Sequence, residues 1–269
     1  MAQPAALPAA LSVAEPAAQL VEPKARPSPF ALAHGFTVAK RSGETNEDAW
    51  QHSHKGAGAV SDGASVSFDS AAWSRLLVRR YAQHPEFDTA WLAAVIGEYV
   101  KLYDRDNLPW MQQAAFDRGS FASLLGIRDC GGERIAILAV GDSLAVLCDG
   151  DRIVATFPYT QPEEFDQRPQ LLSTNPAENK FLDEPGRVAQ LRCEWDLGPL
   201  EGPAVLCMTD ALGRWLLAAR DDEPSPVARL RAIRKPRAFA HFVAGERAAG
   251  RLRRDDTTLL AYWDWRAEQ

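Results

Sequence analysis

The sequence has no long apolar run, no surplus of basic residues and no paired-cysteine motif. No stretch approaches the roughly 20 apolar residues that a membrane-spanning helix needs. The formal net charge of −6 offers no basic surface for nucleic acid or an anionic membrane. The four cysteines include no CxxC pair, which argues against a zinc site and favours free thiols in a reducing compartment. We therefore expect a cytoplasmic protein with protein or metal partners, and neither nucleic acid nor a membrane among them.

The length and composition predict one large folded domain with a tail before it. The chain has 269 residues, of which 46% are hydrophobic and 25% charged, as is usual for a globular protein. The first 29 residues are rich in Ala and Pro but poor in large apolar side chains. Such a segment cannot bury enough surface to offset its ordering entropy. We expect residues 1–29 to form a disordered tail and residues 30–269 to form the domain.

Strand-like and helix-like patterns occur in groups and do not alternate strictly. Short β-branched segments lie before residue 62, and two amphipathic helices are predicted between residues 70 and 100. Strands follow between residues 121 and 157, where Asp149-Gly150 is a strong hairpin signal. Residues 158–187 show little periodicity and resemble a long flap-like loop. Grouped antiparallel strands with paired helices indicate an α+β fold. Later strands are predicted at 188–195, 204–208 and 257–263, and later helices at 212–219 and 236–251.

Five short acidic motifs each stand next to the end of a predicted strand. Carboxylates gathered in such positions repel one another, and hard divalent cations relieve that repulsion. A glycine beside one of them leaves space for a backbone carbonyl to approach an ion. The pattern therefore predicts a metal site. The motifs are Asn46-Glu47-Asp48, Asp62-Gly63, Gly141-Asp142-Ser143, Thr209-Asp210-Ala211 and Asp255-Asp256-Thr257-Thr258.

Each motif also has an ordinary explanation when it is taken alone. Asp62-Gly63 is a common turn sequence, and Asp255-Asp256 could form another turn. Glu47-Asp48 could be solvated surface charge, and Asp210 could cap the helix that follows it. The order of the motifs is what favours a shared site.

In this order the motifs resemble those of the metal-dependent phosphatases of the protein phosphatase 2C type, more narrowly their bacterial branch. The resemblance runs from about Gly35 to Trp263. It implies two stacked antiparallel β-sheets flanked by helix pairs, an α-β-β-α sandwich with the site at one edge. It also implies hydrolysis of phosphoserine and phosphothreonine in proteins, by in-line attack of a water held between two Mn²⁺ or Mg²⁺ ions. The segments that carry it are NEDAW, VSDGAS, VGDSLAV, MTDALGRW and RDDTTLL.

The resemblance implies a role for each acidic motif. Asp62 resembles the carboxylate that bridges two ions, and Asp142 resembles a ligand of a third, weaker ion. Asp62 and Asp210 would be the residues most directly needed for catalysis. A phosphorylated protein is the implied substrate, and a Ser/Thr kinase is a possible cognate partner. The full set of implied metal ligands is Glu47 or Asp48, Asp62, Gly63 through its carbonyl, Asp142, Asp210 and Asp255.

Two positions depart from the common pattern of that family. The phosphate-binding Arg is usual five positions before the Asp of the first motif, and Gly43 stands there; Arg41, two residues further back, is the candidate replacement. Ala64 stands where many eukaryotic relatives have a His that protonates the leaving group, and the nearby His52 is more simply a solvated residue. These departures motivate an alternative, a catalytically weak phosphatase-fold module that binds phosphoproteins or regulates a partner.

The helix predicted at 236–251 ends in a group of basic residues. These could attract phosphorylated protein, although basic side chains at a helix C-terminus are also explained by the helix dipole. A further alternative, a two-metal hydrolase of phosphodiesters, is disfavoured by the acidic charge and the motif order. The basic residues are Arg247, Arg251, Arg253 and Arg254.

Overall fold

The computed structural model describes residues 33–263, so the predicted tail at residues 1–29 lies outside the described part. The strands are β1 (Ala33–Val38), β2 (Ala49–Ser53), β3 (Ala57–Ser61), β4 (Phe121–Ala122), β5 (Leu124–Gly131), β6 (Arg134–Val140), β7 (Leu144–Asp149), β8 (Arg152–Phe157), β9 (Leu172–Ser173), β10 (Arg192–Asp196), β11 (Pro203–Met208) and β12 (Thr257–Tyr262). The α-helices are α1 (Ser70–Gln83), α2 (Thr89–Val100), α3 (Trp110–Arg118), α4 (Arg187–Gln190), α5 (Asp210–Ala218), α6 (Pro226–Arg231) and α7 (Pro236–Ala248).

Two five-stranded antiparallel sheets form the centre of the molecule. The first has the order β1-β12-β11-β7-β8 and the second the order β10-β6-β5-β3-β2. Apolar side chains from both sheets, among them Leu125, Ile137 and Val205, pack into a shared core between them. The predicted α+β sandwich of two stacked antiparallel sheets is confirmed.

Helices cover the outer face of each sheet because each has one apolar stripe to bury. α1 and α2 place Trp73, Leu77 and Tyr99 in a core against the second sheet. α5, α6 and α7 build a separate core on the first sheet, in which Trp215 and Phe239 are buried. No helix between residues 33 and 263 is long and apolar enough to cross a bilayer. All four cysteines are free thiols, as expected.

The strand register brings the acidic motifs to one edge of the sandwich. In the first sheet Met208 pairs with both Leu144 and Leu259, so the end of β11 lies beside the starts of β7 and β12. In the second sheet the start of β2 lies beside the end of β3, through the pair Ala49 and Ser61. β5 starts beside the end of β6 at that same edge. Every motif is one or two residues from one of these strand ends.

Two predictions about the middle of the chain are wrong in detail. Residues 158–187 are not an unstructured loop, because they contain 3-10 helices at Pro162–Asp166 and Pro176–Asp183 and the short strand β9. Phe165, Leu172 and Leu182 from this segment are buried in the two outer cores. Residues 188–195 were predicted as one strand, but the chain first completes the helical turn α4 before β10. Burial of scattered apolar residues, which leaves no periodic signal, orders both segments.

Candidate metal centre

Five aspartates approach one another at this edge. The carboxyl of Asp62 feels the negative charges of the other four, each of which opposes its ionisation. Among residues 33–263, no three His, Cys, Asp or Glu side chains already converge at ligand distances. The five are Asp48, Asp62, Asp142, Asp210 and Asp255.

Asp48 enters the cluster from the start of β2 and is held by the opposite sheet. Its Oδ2 accepts a hydrogen bond of 2.9 Å from the Thr209 hydroxyl, which in turn accepts one of 3.0 Å from the Thr258 backbone N–H. Its Oδ1 is buried and has no hydrogen-bond partner. A buried carboxylate oxygen without a donor is costly, and a cation would satisfy it.

Asp62 follows β3 and is fixed through its backbone. Its N–H donates to the Ser123 hydroxyl at 2.9 Å, and its C=O accepts from the Ser123 N–H at 2.8 Å. The Ser123 and Ser143 hydroxyls are 2.8 Å apart, which links this motif to the Gly141-Asp142-Ser143 motif in the turn between β6 of the second sheet and β7 of the first. The motif patterns did not reveal Ser123, because its partners Asp62 and Ser143 are 61 and 20 positions away in the sequence.

Gly63 lies where no side chain would fit. A Cβ at this position would be 2.8 Å from the Glu47 carbonyl oxygen and 2.9 Å from Ser70. Contacts that short are essentially never seen for a real Cβ, so the packing requires glycine. Glycine is needed here for packing against Glu47 and Ser70, and the role of its carbonyl as a metal ligand stays a prediction.

Asp210 is the first residue of α5, where the helix dipole favours a negative charge. Its Oδ1 accepts a 2.5 Å hydrogen bond from the N–H of the next residue, Ala211. The N-cap residue is Thr209, whose side chain makes no capping hydrogen bond, so the capping role considered for Asp210 is not the one it has. The Asp210 Oδ2 contacts the guanidinium of Arg253. Asp210 and Asp62 are also close enough for their carboxyl groups to share a hydrogen bond.

Glu47 does not face the cluster. Its Oε2 accepts hydrogen bonds from Lys40 Nζ at 2.9 Å and from the Ser65 hydroxyl, and its Oε1 accepts one of 2.7 Å from Ser70. Although burial raises its pKa, these bonds together with the Lys40 charge outweigh that effect and leave the pKa lowered. Of the two acidic residues that the sequence left open here, Asp48 is the one placed among the other aspartates.

Asp256, beside Asp255, has a structural partner set of its own. Its two carboxylate oxygens accept hydrogen bonds from the backbone N–H groups of Lys40 at 2.6 Å and of Glu47 at 2.7 Å. It therefore closes the loop that carries the first motif onto the start of β12. The sequence motif contains both Asp255 and Asp256, but it did not show that Asp256 is the one that holds this loop.

The electrostatics of the cluster favour either protons or cations. Burial is the main cause that raises the pKa of Asp48, Asp62 and Asp210, and the neighbouring carboxylates add to it. Burial also raises the pKa of Asp142 to about 7, an effect that Asp210 reinforces and Arg253 opposes. Carboxylates in this state are neutralised by protons when no other cation is present.

Arg41 does not lie among the aspartates. Its side chain is 64% exposed and pairs with Glu44 at 3.0 Å. It lines a separate surface hollow together with Arg247 and Arg254. Tyr159, which no motif predicted, is close enough to the cluster for Asp142 to reinforce the effect of burial, and together these raise its pKa to about 12.

The donor set fits hard divalent ions. Carboxylate oxygens and a backbone carbonyl are the ligands that Mg²⁺ and Mn²⁺ prefer. The orphaned Asp48 oxygen is the observation that supports this fit.

Comparison with known proteins identifies the fold. No protein-family model and no curated protein sequence matches the chain. Among solved structures, a bacterial serine phosphatase matches with a TM-score of 0.56 at 13% identity, over 85% of this chain and 96% of that one. The fold is that of the bacterial phosphatases of the protein phosphatase 2C type.

Two further structures show the same architecture. Serine/threonine phosphatase Stp1 from Staphylococcus aureus matches with a TM-score of 0.55 at 14% identity, over 85% of this chain and 93% of that one. The catalytic domain of the phosphatase PstP, in complex with two manganese ions, matches with a TM-score of 0.51 at 16% identity, over 86% and 96% of the two chains. Identities this low establish the fold alone.

Proposed function

We propose that this protein is a metal-dependent phosphatase that hydrolyses phosphoserine and phosphothreonine in proteins. The observation that carries the proposal is the group of five aspartates at one edge of the sandwich, in which one carboxylate oxygen of Asp48 has no hydrogen-bond partner. Burial raises the carboxyl pKa of Asp48, Asp62, Asp142 and Asp210. The described relatives support it, since they are named as serine or serine/threonine phosphatases and one contains two manganese ions.

Two Mn²⁺ or Mg²⁺ ions would supply a water of lowered pKa and neutralise charge on the phosphoryl oxygens. Asp62, which directly follows β3, would be a ligand of these ions, since its carboxyl is close enough to the other four aspartates to feel their charges. Asp48 and the Gly63 carbonyl would hold one ion from the second sheet. Asp210 and Asp255 would hold the other from the first sheet, so the site draws on both halves of the sandwich.

The hydrogen bonds around the aspartates would keep this arrangement in place before substrate arrives. Thr209 orients the Asp48 carboxylate, and Ser123 fixes the backbone of Asp62. Such pre-organised groups around metal ligands are commonly needed for full metal affinity or activity. Asp142, whose motif is joined to that of Asp62 through the Ser123 and Ser143 hydroxyls, would be a ligand of a third ion.

A second candidate function follows from the position of Arg41. Because its guanidinium is exposed and paired with Glu44, it does not serve the aspartates in this arrangement. Together with Ala64 in place of a proton donor, this favours a phosphatase-fold module that binds phosphoproteins with little turnover.

Phosphate release from a phosphothreonine peptide tests the proposal. We expect turnover that requires added Mn²⁺ or Mg²⁺ and is absent in the Asp62→Asn variant. Stoichiometric peptide binding without turnover would favour the binding module instead. Faster hydrolysis of a dinucleotide phosphodiester than of the peptide would contradict both.

A further inference from the structure

Arg253 is the basic side chain in direct contact with the aspartate cluster. Its guanidinium pairs with Asp210, whose side chain is 8% exposed, while the Arg253 side chain itself remains 45% exposed. Its charge also reaches Asp142 and, on the segment after β8, Asp166. Arg253 therefore extends from solvent to the carboxylates.

Three other cations on the neighbouring segments have different partners, and a fourth lines a separate hollow. Lys40 pairs with Glu47 at 2.9 Å, and Arg41 pairs with Glu44. Arg247 donates to the Ala39 carbonyl at 3.1 Å and to the Thr257 hydroxyl at 3.0 Å, so it fixes backbone. Arg254 lines the separate hollow beside Arg41. Within residues 33–263, no other ion pair joins a Lys or Arg to one of the five aspartates.

We propose that Arg253 is the phosphate-binding residue of this site, taking the role for which Arg41 is out of place. The inference rests on the proposed function. A guanidinium matches two oxygens of a phosphoryl group with parallel N–H donors, which a single ammonium cannot do. When divalent cations neutralise Asp210, the pairing that holds Arg253 there weakens, and its exposed side chain is free to contact a phosphate bound at the same edge.

The same geometry gives Arg253 a second, opposite effect. Without metal it occupies one oxygen of Asp210, so it competes with a divalent cation for that carboxylate. Removing its charge should therefore strengthen metal binding and weaken phosphate binding. An arginine that only stabilised the fold would not change the two affinities in opposite directions.

Arg253→Gln and a matched control, Arg254→Gln, test the inference, with folding checked by circular dichroism. Titration of metal-free protein with Mn²⁺ by calorimetry should show about a fivefold higher affinity for Arg253→Gln. Titration of the Mn²⁺-loaded protein with inorganic phosphate should show at least a tenfold loss for Arg253→Gln. With the phosphopeptide, KM should rise more than kcat falls. We expect Arg254→Gln to stay within twofold of the wild type in all three measurements.

An Arg253→Lys variant keeps the charge but not the two parallel donors, so its phosphate affinity should fall between those of the wild type and Arg253→Gln. Wild-type phosphate affinity in both variants would overturn the inference. Failure of the proposed function has a different signature: the wild type would release no phosphate from the peptide, while Arg253→Gln would still lose affinity for inorganic phosphate.

Discussion

Helix α5 takes part in two sites that contain buried carboxylates. At one site hydrogen-bond donors surround the carboxylate, whereas at the other the carboxylates lie mainly beside one another. Glu246, on α7, accepts two hydrogen bonds of 2.7 Å from Arg251, one of 2.9 Å from the Trp215 indole and one from Arg229. Asp210, at the start of α5, has one arginine and several carboxylates around it.

The difference appears directly in the pKa values. Hydrogen bonds from Arg251 are the largest influence on Glu246; they and the other donors outweigh burial and lower its pKa to about 2. Burial raises the pKa of Asp142 to about 7, because the one nearby arginine does not compensate for burial and for the charge of Asp210. A buried carboxylate with a full set of hydrogen-bond donors stabilises the fold. A group of buried carboxylates with too few donors can instead bind a cation.

Neutralising one cluster aspartate should have the largest effect on activity. Asp62→Asn or Asp210→Asn should lower turnover about a thousandfold, or about 4 kcal/mol of activation free energy, because a metal ligand is lost. In the metal-free protein Asp62→Asn should also raise the free energy of unfolding at pH 8, since Asp62 has like-charged neighbours. Steady-state kinetics and urea denaturation measure the two effects. Retention of more than about a tenth of wild-type turnover would contradict the metal assignment.

The aspartate cluster should make the stability of the metal-free protein depend on pH. The pKa of Asp142 is raised in the folded state, so its contribution is full below its ordinary value of 3.8 and is lost as pH rises through about 7. For Asp142 alone we expect the metal-free protein to lose about 3 kcal/mol of unfolding free energy between pH 5 and pH 8. Saturating Mn²⁺ should remove this loss. A metal-free protein whose stability rises over that range would show that the cluster is not protonated as inferred.

Neutralising Glu246 should lower the free energy of unfolding without changing the metal site. Glu246→Gln should cost about 2–3 kcal/mol of unfolding free energy, since it leaves Arg229 and Arg251 without their carboxylate. Glu98→Gln is the matched control, because Glu98 pairs with Arg80 at 3.4 Å near the surface, where such pairs contribute roughly 0–1 kcal/mol. Urea denaturation measures both variants. Equal losses of unfolding free energy in the two variants would mean that burial does not strengthen the ion pairs of Glu246.

The smallest effect is expected from the hydroxyl that orients Asp48. Thr209→Val removes the 2.9 Å hydrogen bond to Asp48 and should lower Mn²⁺ affinity about tenfold. Thr209→Ser keeps a hydroxyl and should bind nearly as well as the wild type. Calorimetric titration compares the three proteins. If the Val and Ser variants bind Mn²⁺ equally, the hydroxyl has no part in preparing the site.

The sequence by itself indicated an α+β chain and five acidic motifs, and the family resemblance carried by the order of those motifs implied the stacked sandwich and the shared site. Strand and helix periodicities are local properties, so the grouped antiparallel strands and the turn at Asp149-Gly150 could be predicted; Gly150 indeed has a positive φ of 58° in the hairpin between β7 and β8. The acidic motifs were recognisable because each is a short, contiguous pattern at a strand end. Antiparallel pairing then requires such ends to meet at an edge.

Only the tertiary structure decided which side chains face the cluster. Glu47 and Asp48 are adjacent in the chain, but Lys40 and the serines bind one while Thr209, 161 positions away, binds the other. Arg41 was the closest basic residue in sequence to the expected position, whereas Arg253 reaches Asp210 across 43 positions. Contacts of this kind depend on the packing of two sheets and on the length of individual side chains, and neither is encoded in a local pattern.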